Sequence, residues 1–272
     1  SPGWVKPARL NRIEAFPIGT MKANIELYSL PGLPDVQPGD NLVTLILDAL
    51  EGAALALRDS DVLVVTQKIV SKAEGRAVDL MSVEPSVAAQ QLAEATGKDP
   101  RLVEVILRES KGIIRQRGPV LITETHHGWI CANAGVDRSN VRGDDVALPL
   151  PKDPDASAQH LRAGFREATG TDVAVVISDT HGRPWREGTV NLALGIAGMQ
   201  PIDDLRGRSD MFGYTMRVTT VARADELAAA AGLVTGQAAE RLPVVLIRGA
   251  DYPQGEGSAT EMQRPVAKDL FR

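Results

Sequence analysis

The sequence predicts an α+β fold, a mixed sheet with flanking helices, and two observations carry that prediction. Asp61–Thr66 (DVLVVT) and Asp172–Asp179 (DVAVVISD) are short continuous apolar runs, the pattern of strands buried on both faces. Strand-like runs are separated by helical patterns in some places and by short turns in others, which favours mixed pairing over a purely parallel sheet. In chain order, Arg12–Pro17 reads as a first strand. Leu30–Gly39 (LPGLPDVQPG) reads as a loop, because three prolines and two glycines preclude regular structure. Asp40 is placed to cap a helix running to about Leu57, with Leu42, Leu45, Ile46, Ala49 and Leu50 on one face. Pro85–Thr96 and Asp99–Ser110 form two short helices with Gly97 as the stop between them. Val120–Thr123 and Trp129–Asn133 are short strands, followed by the turn-rich Gly135–Asp145. Asp155–Thr169 is an amphipathic helix, Tyr214–Ala222 alternates as a half-exposed strand, Asp225–Thr235 is an alanine-rich helix, and Val244–Arg248 is a late buried strand. Pro149–Asp155 (PLPKDPD) is the candidate boundary between two lobes of one domain, residues 10–250, with 251–272 as a C-terminal extension.

Composition narrows the function. Across 272 residues, 30 basic side chains against 35 acidic ones give a net charge of −5, without the basic footprint that nucleic-acid binding requires. Aromatic residues at 4% argue against base-stacking platforms. The single cysteine, Cys131, excludes an internal disulfide framework and any all-cysteine metal site, and between Ile130 and Ala132 it reads as a small core residue. No apolar run reaches the roughly 18–20 residues of a membrane span. No basic-then-apolar leader opens the chain, so the cytoplasm is the expected compartment. The four histidines, His126, His127, His160 and His181, are poorly spaced for zinc. The P-loop, G-x-G-x-x-G, nucleophile-elbow and H-E-x-x-H patterns are all absent.

Three polar clusters sit where loops leave buried strands. In Thr66-Gln-Lys-Ile-Val-Ser-Lys72, Lys68 and Lys72 share a face if the segment is helical and would present two cations to a polyphosphate; the alternative is a solvated helix face. In Gly135-Val-Asp-Arg-Ser-Asn140, Asp137 and Asn140 offer a carboxylate and a carboxamide to a metal or a base, or else form a plain Asx-turn. Ser178-Asp-Thr-His-Gly-Arg-Pro-Trp-Arg186 places a carboxylate and a hydroxyl at a strand exit, the hard oxygen ligands that Mg²⁺ takes, with Arg183 and Arg186 as phosphate or carboxylate clamps. His181 is a general-base candidate or an exposed loop histidine that only hydrogen-bonds. Gly236-Gln237 reads locally as an ordinary glycine stop, and Trp129 and Trp185 as core or interface residues.

Taken in order, LPGLPDVQPGD, VVTQKIVSKAEGR, KDPRLVEVILRES, NAGVDRSNV, VVISDTHGRPWREG and VARADELAAAAGLVTGQAAERLPVVLIRG resemble the coenzyme F-420-0:L-glutamate ligases over about residues 12–250. The resemblance implies the stand-alone form, without the nitroreductase-like domain fused in bacterial bifunctional relatives, and an unusual α+β fold forming an intertwined homodimer. It implies GTP-dependent addition of L-glutamate to coenzyme F-420-0, with GTP as co-substrate, two Mg²⁺ or Mn²⁺ ions, and K⁺ as a further candidate. By the same resemblance Leu33, Pro34, Asp35, Val36, Gln67, Lys68, Lys72, Asn140 and the segment Thr235, Gly236, Gln237, Ala238, Ala239, Glu240, Arg241, Leu242 would bind the nucleotide. Asp137 and Asp179 would hold a first metal, and Thr180 and Gln237 a second. Lys72, Arg183 and Arg186 are the catalytic candidates, as fixed positive charge around phosphoryl transfer to a carboxylate. Folate or another acceptor, a metal-dependent phosphohydrolase, and a non-catalytic nucleotide-binding protein are the competing functions.

Overall fold

The computed structural model describes residues 24–138, 143 and 145–270, so the expected strand at Arg12–Pro17 and the candidate Asn140 lie outside the described residues. The elements are β1 (Glu26–Ser29), α1 (Leu42–Gly52), β2 (Val62–Thr66), α2 (Gln67–Ala73), β3 (Val78–Asp79), α3 (Val87–Thr96), α4 (Pro100–Arg108), β4 (Ser110–Arg117), β5 (Val120–Thr125), β6 (Ile130–Ala132), β7 (Val146–Ala147), α5 (Pro154–Thr169), β8 (Ala174–Arg183), β9 (Arg186–Ala197), β10 (Ile202–Asp204), β11 (Thr220–Ala222), α6 (Arg223–Thr235) and β12 (Val244–Arg248).

The central sheet has the order β1-β12-β2-β8-β9. Only β2 and β8 run parallel; the other neighbours are antiparallel, the mixed sheet that the sequence predicts. Its apolar strands divide their side chains by the period of two. Leu63, Val65, Val175, Ile177 and Leu246 pack on one face with Ile46 and Leu50 of α1 and Leu161 and Phe165 of α5. Val62, Val64, Val176, Val245 and Ile247 pack on the other with Leu227, Ala228 and Ala231 of α6. Helices on both faces explain why these strands need no polar side. Between α2 and α5 the chain builds a second cluster around Leu80, Val105, Ile106, Leu121, Ala134 and Val136. It then returns through the irregular stretch 149–153, whose Pro149, Leu150 and Pro151 are buried.

Several boundaries differ from expectation for local reasons. Asn41, not Asp40, caps α1: its Oδ1 accepts from Thr44 N at 3.2 Å, while Asp40 Oδ2 accepts from Gln37 N at 2.7 Å. The helix stops at Gly52, short of Leu57, because Ala54 takes a left-handed φ of 54°. Of Tyr214–Ala222 only Thr220–Ala222 forms a strand, with Thr215 making an isolated bridge to Ser209; Tyr214 and Val218 are exposed, so the alternation has no face to bury. The long strand β9 carries no expectation from the sequence.

Strand β9 is the edge of the sheet, and two helix carboxylates sit on its amides. Ala193 N donates to Asp225 Oδ1 at 2.9 Å and Ile196 N to Asp155 Oδ1 at 2.8 Å. A register shift against Ile177 and Ser178 lies in this stretch. Gly195 permits the approach of α5, since a Cβ there would strike the Pro154 backbone. Among the described residues no helix is long and apolar enough to cross a membrane.

Candidate active site

The parallel pair β2 and β8 brings Thr66 opposite Ser178; β2 ends there, while β8 runs on to Arg183 paired with β9. Crevices outside the carboxyl ends of parallel strands are the usual ligand sites of such sheets. A cavity of about 410 Å³ opens there. Its walls are the Leu33–Val36 loop, Gln67, Lys68 and Lys72 of α2, Ser178, Asp179 and Thr180 of β8, Thr235–Ala238, and Glu240–Leu242. Segments far apart in sequence and nominated separately thus meet on one surface.

Some nominated residues stand elsewhere. Ala239 is not on the cavity wall. Arg183 and Arg186 are exposed near the tip of the β8–β9 hairpin, together with Trp185, which is 87% exposed. Asp137 reaches the site through Lys68, whose Nζ lies 2.7 Å from Asp137 Oδ2. Lys72 Nζ in turn lies 2.9 Å from Asp35 Oδ1. Both lysines line the cavity, so this face of α2 is a cavity wall.

Position and hydrogen bonding set the remaining groups. His181 is on β8 and 8% exposed, rather than in an exposed loop, and its Nε2 lies 3.2 Å from Asp179 Oδ2. Cys131 is a core residue as expected, and burial, with the Asp179 charge second, pushes its thiol up to about 12. Gly236 does more than stop a helix: at φ 70° it leaves room for the Glu240 side chain, which a Cβ would strike. Glu240 folds back to accept from Ala238 N at 2.8 Å, and that bond holds its carboxyl below the usual carboxylate range.

Eight buried side-chain polar atoms among the described residues have no hydrogen-bond partner, and three of them belong to residues on this one cavity: Gln67 Nε2, Ser178 Oγ and Thr235 Oγ1. Each such atom costs about 1–3 kcal/mol if left dry, so this wall carries polar groups whose hydrogen bonding the described residues leave unmet. Ser71 Oγ donates to Gln67 Oε1 at 3.0 Å, which turns the Gln67 amide so that Nε2 is the free end. Among the described residues no group of three or more His, Cys, Asp or Glu side chains could hold a metal. The available donors are instead the Asp179 carboxylate, the Thr180 hydroxyl and the Gln237 amide oxygen, all hard. This set fits Mg²⁺ or Mn²⁺ taken with few protein carboxylates, the rest of the shell coming from phosphate oxygens and water. Asn191 on β9, 5% exposed, completes the wall beside Thr180 and Gln237. No local motif announces it; only the β8–β9 register, which sets it opposite Thr180, does so.

The model of the F420-0:gamma-glutamyl ligase family matches residues 32–249, a span holding every residue of the cavity wall. The chain belongs to that family. It is 49% identical over 252 residues to the coenzyme F420:L-glutamate ligase of Methanothermobacter thermautotrophicus, covering 91% of this chain and 99% of that protein. To the protein of the same name from Methanopyrus kandleri it is 46% identical over 241 residues, covering 87% and 93%. To that from Methanocaldococcus jannaschii it is 42% identical over 254 residues, covering 92% and 98%. The three are similar to this chain along nearly their whole length.

Proposed function

We propose that this chain joins L-glutamate to coenzyme F420-0 at the cavity beside β2 and β8, using GTP and a divalent cation. The supporting observation is the convergence on one strand edge of oxygen donors (Asp179, Thr180, Gln237), cations (Lys68, Lys72) and buried polar atoms without partners. Together these suit a triphosphate better than a neutral ligand.

A carboxylate resists an amine because its carbon is shielded by negative charge and its leaving group would be oxide. Attack of the acceptor carboxylate on the γ-phosphorus breaks the bridging P–O bond to the β-phosphate and releases GDP, giving an acyl phosphate. The neutral glutamate amine then attacks its carbonyl carbon, the C–O bond to phosphate breaks, and inorganic phosphate leaves as the nitrogen gives its proton to solvent. Asp179, Thr180 and Gln237 would hold the cation, whose chemistry is to neutralise phosphate oxygens in line with the attacking group. Lys72 and Lys68 supply fixed positive charge from a helix, so little reorganisation is needed as charge shifts. The exposed tip bearing Arg183, Trp185 and Arg186 supports a homodimer in which these side chains meet a second copy.

Mass spectrometry of F420-0 incubated with the protein, GTP, Mn²⁺ and L-glutamate tests this. The expected product is heavier by one glutamyl residue, with GDP and phosphate released in equal amount and only when glutamate is present. Nucleotide cleavage independent of glutamate would instead establish a phosphohydrolase, and preferential glutamylation of an added folate would move the acceptor.

A further inference from the structure

Thr180, Asn191 and Gln237 form a closed triangle at the cavity wall. Thr180 Oγ1 lies 3.0 Å from Asn191 Oδ1 and 3.0 Å from Gln237 Oε1, while Gln237 Nε2 donates to Asn191 Oδ1 at 3.1 Å. A hydroxyl has one proton, so Thr180 cannot donate to both oxygens at once. Nor is the Gln237 amide orientation arbitrary: Nε2 toward Asn191 puts Oε1 toward Thr180 and the cavity. We propose that Asn191 is the positioning residue of the cation site, its single Oδ1 taking both the Thr180 proton and the Gln237 Nε2–H so that Thr180 Oγ1 and Gln237 Oε1 turn their lone pairs to the same cation.

The packing around Asn191 is built for that role. It stands on β9 opposite Thr180, the cross-strand pairing in which side chains on one face meet. Behind it α6 carries Gly232, where a Cβ would stand 3.1 Å from Asn191 Nδ2 and 3.2 Å from its Cγ. The helix therefore comes close enough to hold the amide without a side chain displacing it. An alanine in place of Asn191 would leave the Thr180 proton to choose Gln237 Oε1, which occupies one of that oxygen's two lone pairs and swings the Thr180 lone pairs away from the direction Gln237 Oε1 faces.

This rests on the cation clause of the function proposed above, and the experiment separates the two. Free Mn²⁺ is measured by electron paramagnetic resonance on the full chain with GDP, for the wild type, N191A, N191D, Q237E and the double variant N191A/Q237E, with thermal unfolding alongside. N191A should weaken Mn²⁺ binding about 10–100-fold, the usual loss when an outer partner of a ligand is removed. N191D keeps the acceptor oxygen and should retain binding. In the Q237E background the N191A loss should shrink, because a carboxylate has two equivalent oxygens and needs no orienting. N191A with wild-type Mn²⁺ affinity, whatever its melting temperature, overturns the inference alone. A wild type that binds no Mn²⁺ with GDP overturns the cation clause and this inference with it. Should N191A not fold, loss of Mn²⁺ binding in N191D overturns the inference and retained binding supports it.

Discussion

The two ends of strand β2 are both rich in charged and polar side chains, yet they are finished in opposite ways. At the start of β2, Asp61 is 2% exposed and its carboxylate is fully engaged: Arg248 Nε and Nη2 donate at 2.9 and 2.7 Å, and Arg58 N donates at 2.8 Å. Arg248 Nη2 also donates to Ala56 O at 2.7 Å. None of the orphaned buried atoms lies there. At the other end, Gln67, Ser178 and Thr235 each bury a polar atom with no partner among the described residues. Charge alone therefore does not separate a structural cluster from a binding one. The separation comes from whether the protein satisfies its own donors and acceptors.

The sharpest way to break this contrast is Asp179→Ala. It should lower ligation at least about a thousandfold, by removing the carboxylate at the centre of the cation donors, while the urea midpoint stays at or above that of the wild type, as expected for a group kept for function. Near-normal ligation would remove Asp179 from the chemistry. Arg248→Met should do the reverse. It leaves Asp61 buried without its cation, so urea unfolding should show a loss of about 3–5 kcal/mol, with turnover per folded molecule unchanged. A comparable loss of turnover at full stability would mean the two ends are not distinct. The smallest expected effect concerns Cys131, whose thiol pKa burial raises to about 12. At pH 8 iodoacetamide should alkylate the native chain about a thousandfold more slowly than the urea-unfolded one, following the thiolate fraction. The sign for stability follows: a folded pKa above the unfolded one contributes fully below about pH 8.5 and is lost as pH rises toward 12. Rapid native alkylation would show that this region opens.

Most of the central sheet was legible because its strands bury both faces, which writes them as unbroken apolar runs; Val62–Thr66, Ala174–Arg183 and Val244–Arg248 are the elements that result. The helix stops were legible where glycine supplies the left-handed turn, as at Gly97 with φ 70°. Tyr214–Ala222 failed because alternation signals a strand only when one face has something to pack on, and that segment is largely exposed. The cavity wall followed from motif resemblance, whereas Asn191 did not: an isolated polar residue in a strand acquires meaning only from the register of its neighbour. The paired lysines were legible as a shared helix face, but their partners Asp137 and Asp35 come from other segments and no spacing within α2 points to them.

The carboxylates of Asp155 and Asp225 on β9 carry one last consequence. A sheet border with bare amides invites another chain to add itself as the next strand. Here two helices from opposite sides of the sheet have each placed an acid on that border, at Ile196 and Ala193. Over this stretch the β9 border is closed to growth by strand addition, and contacts made here fall to side chains.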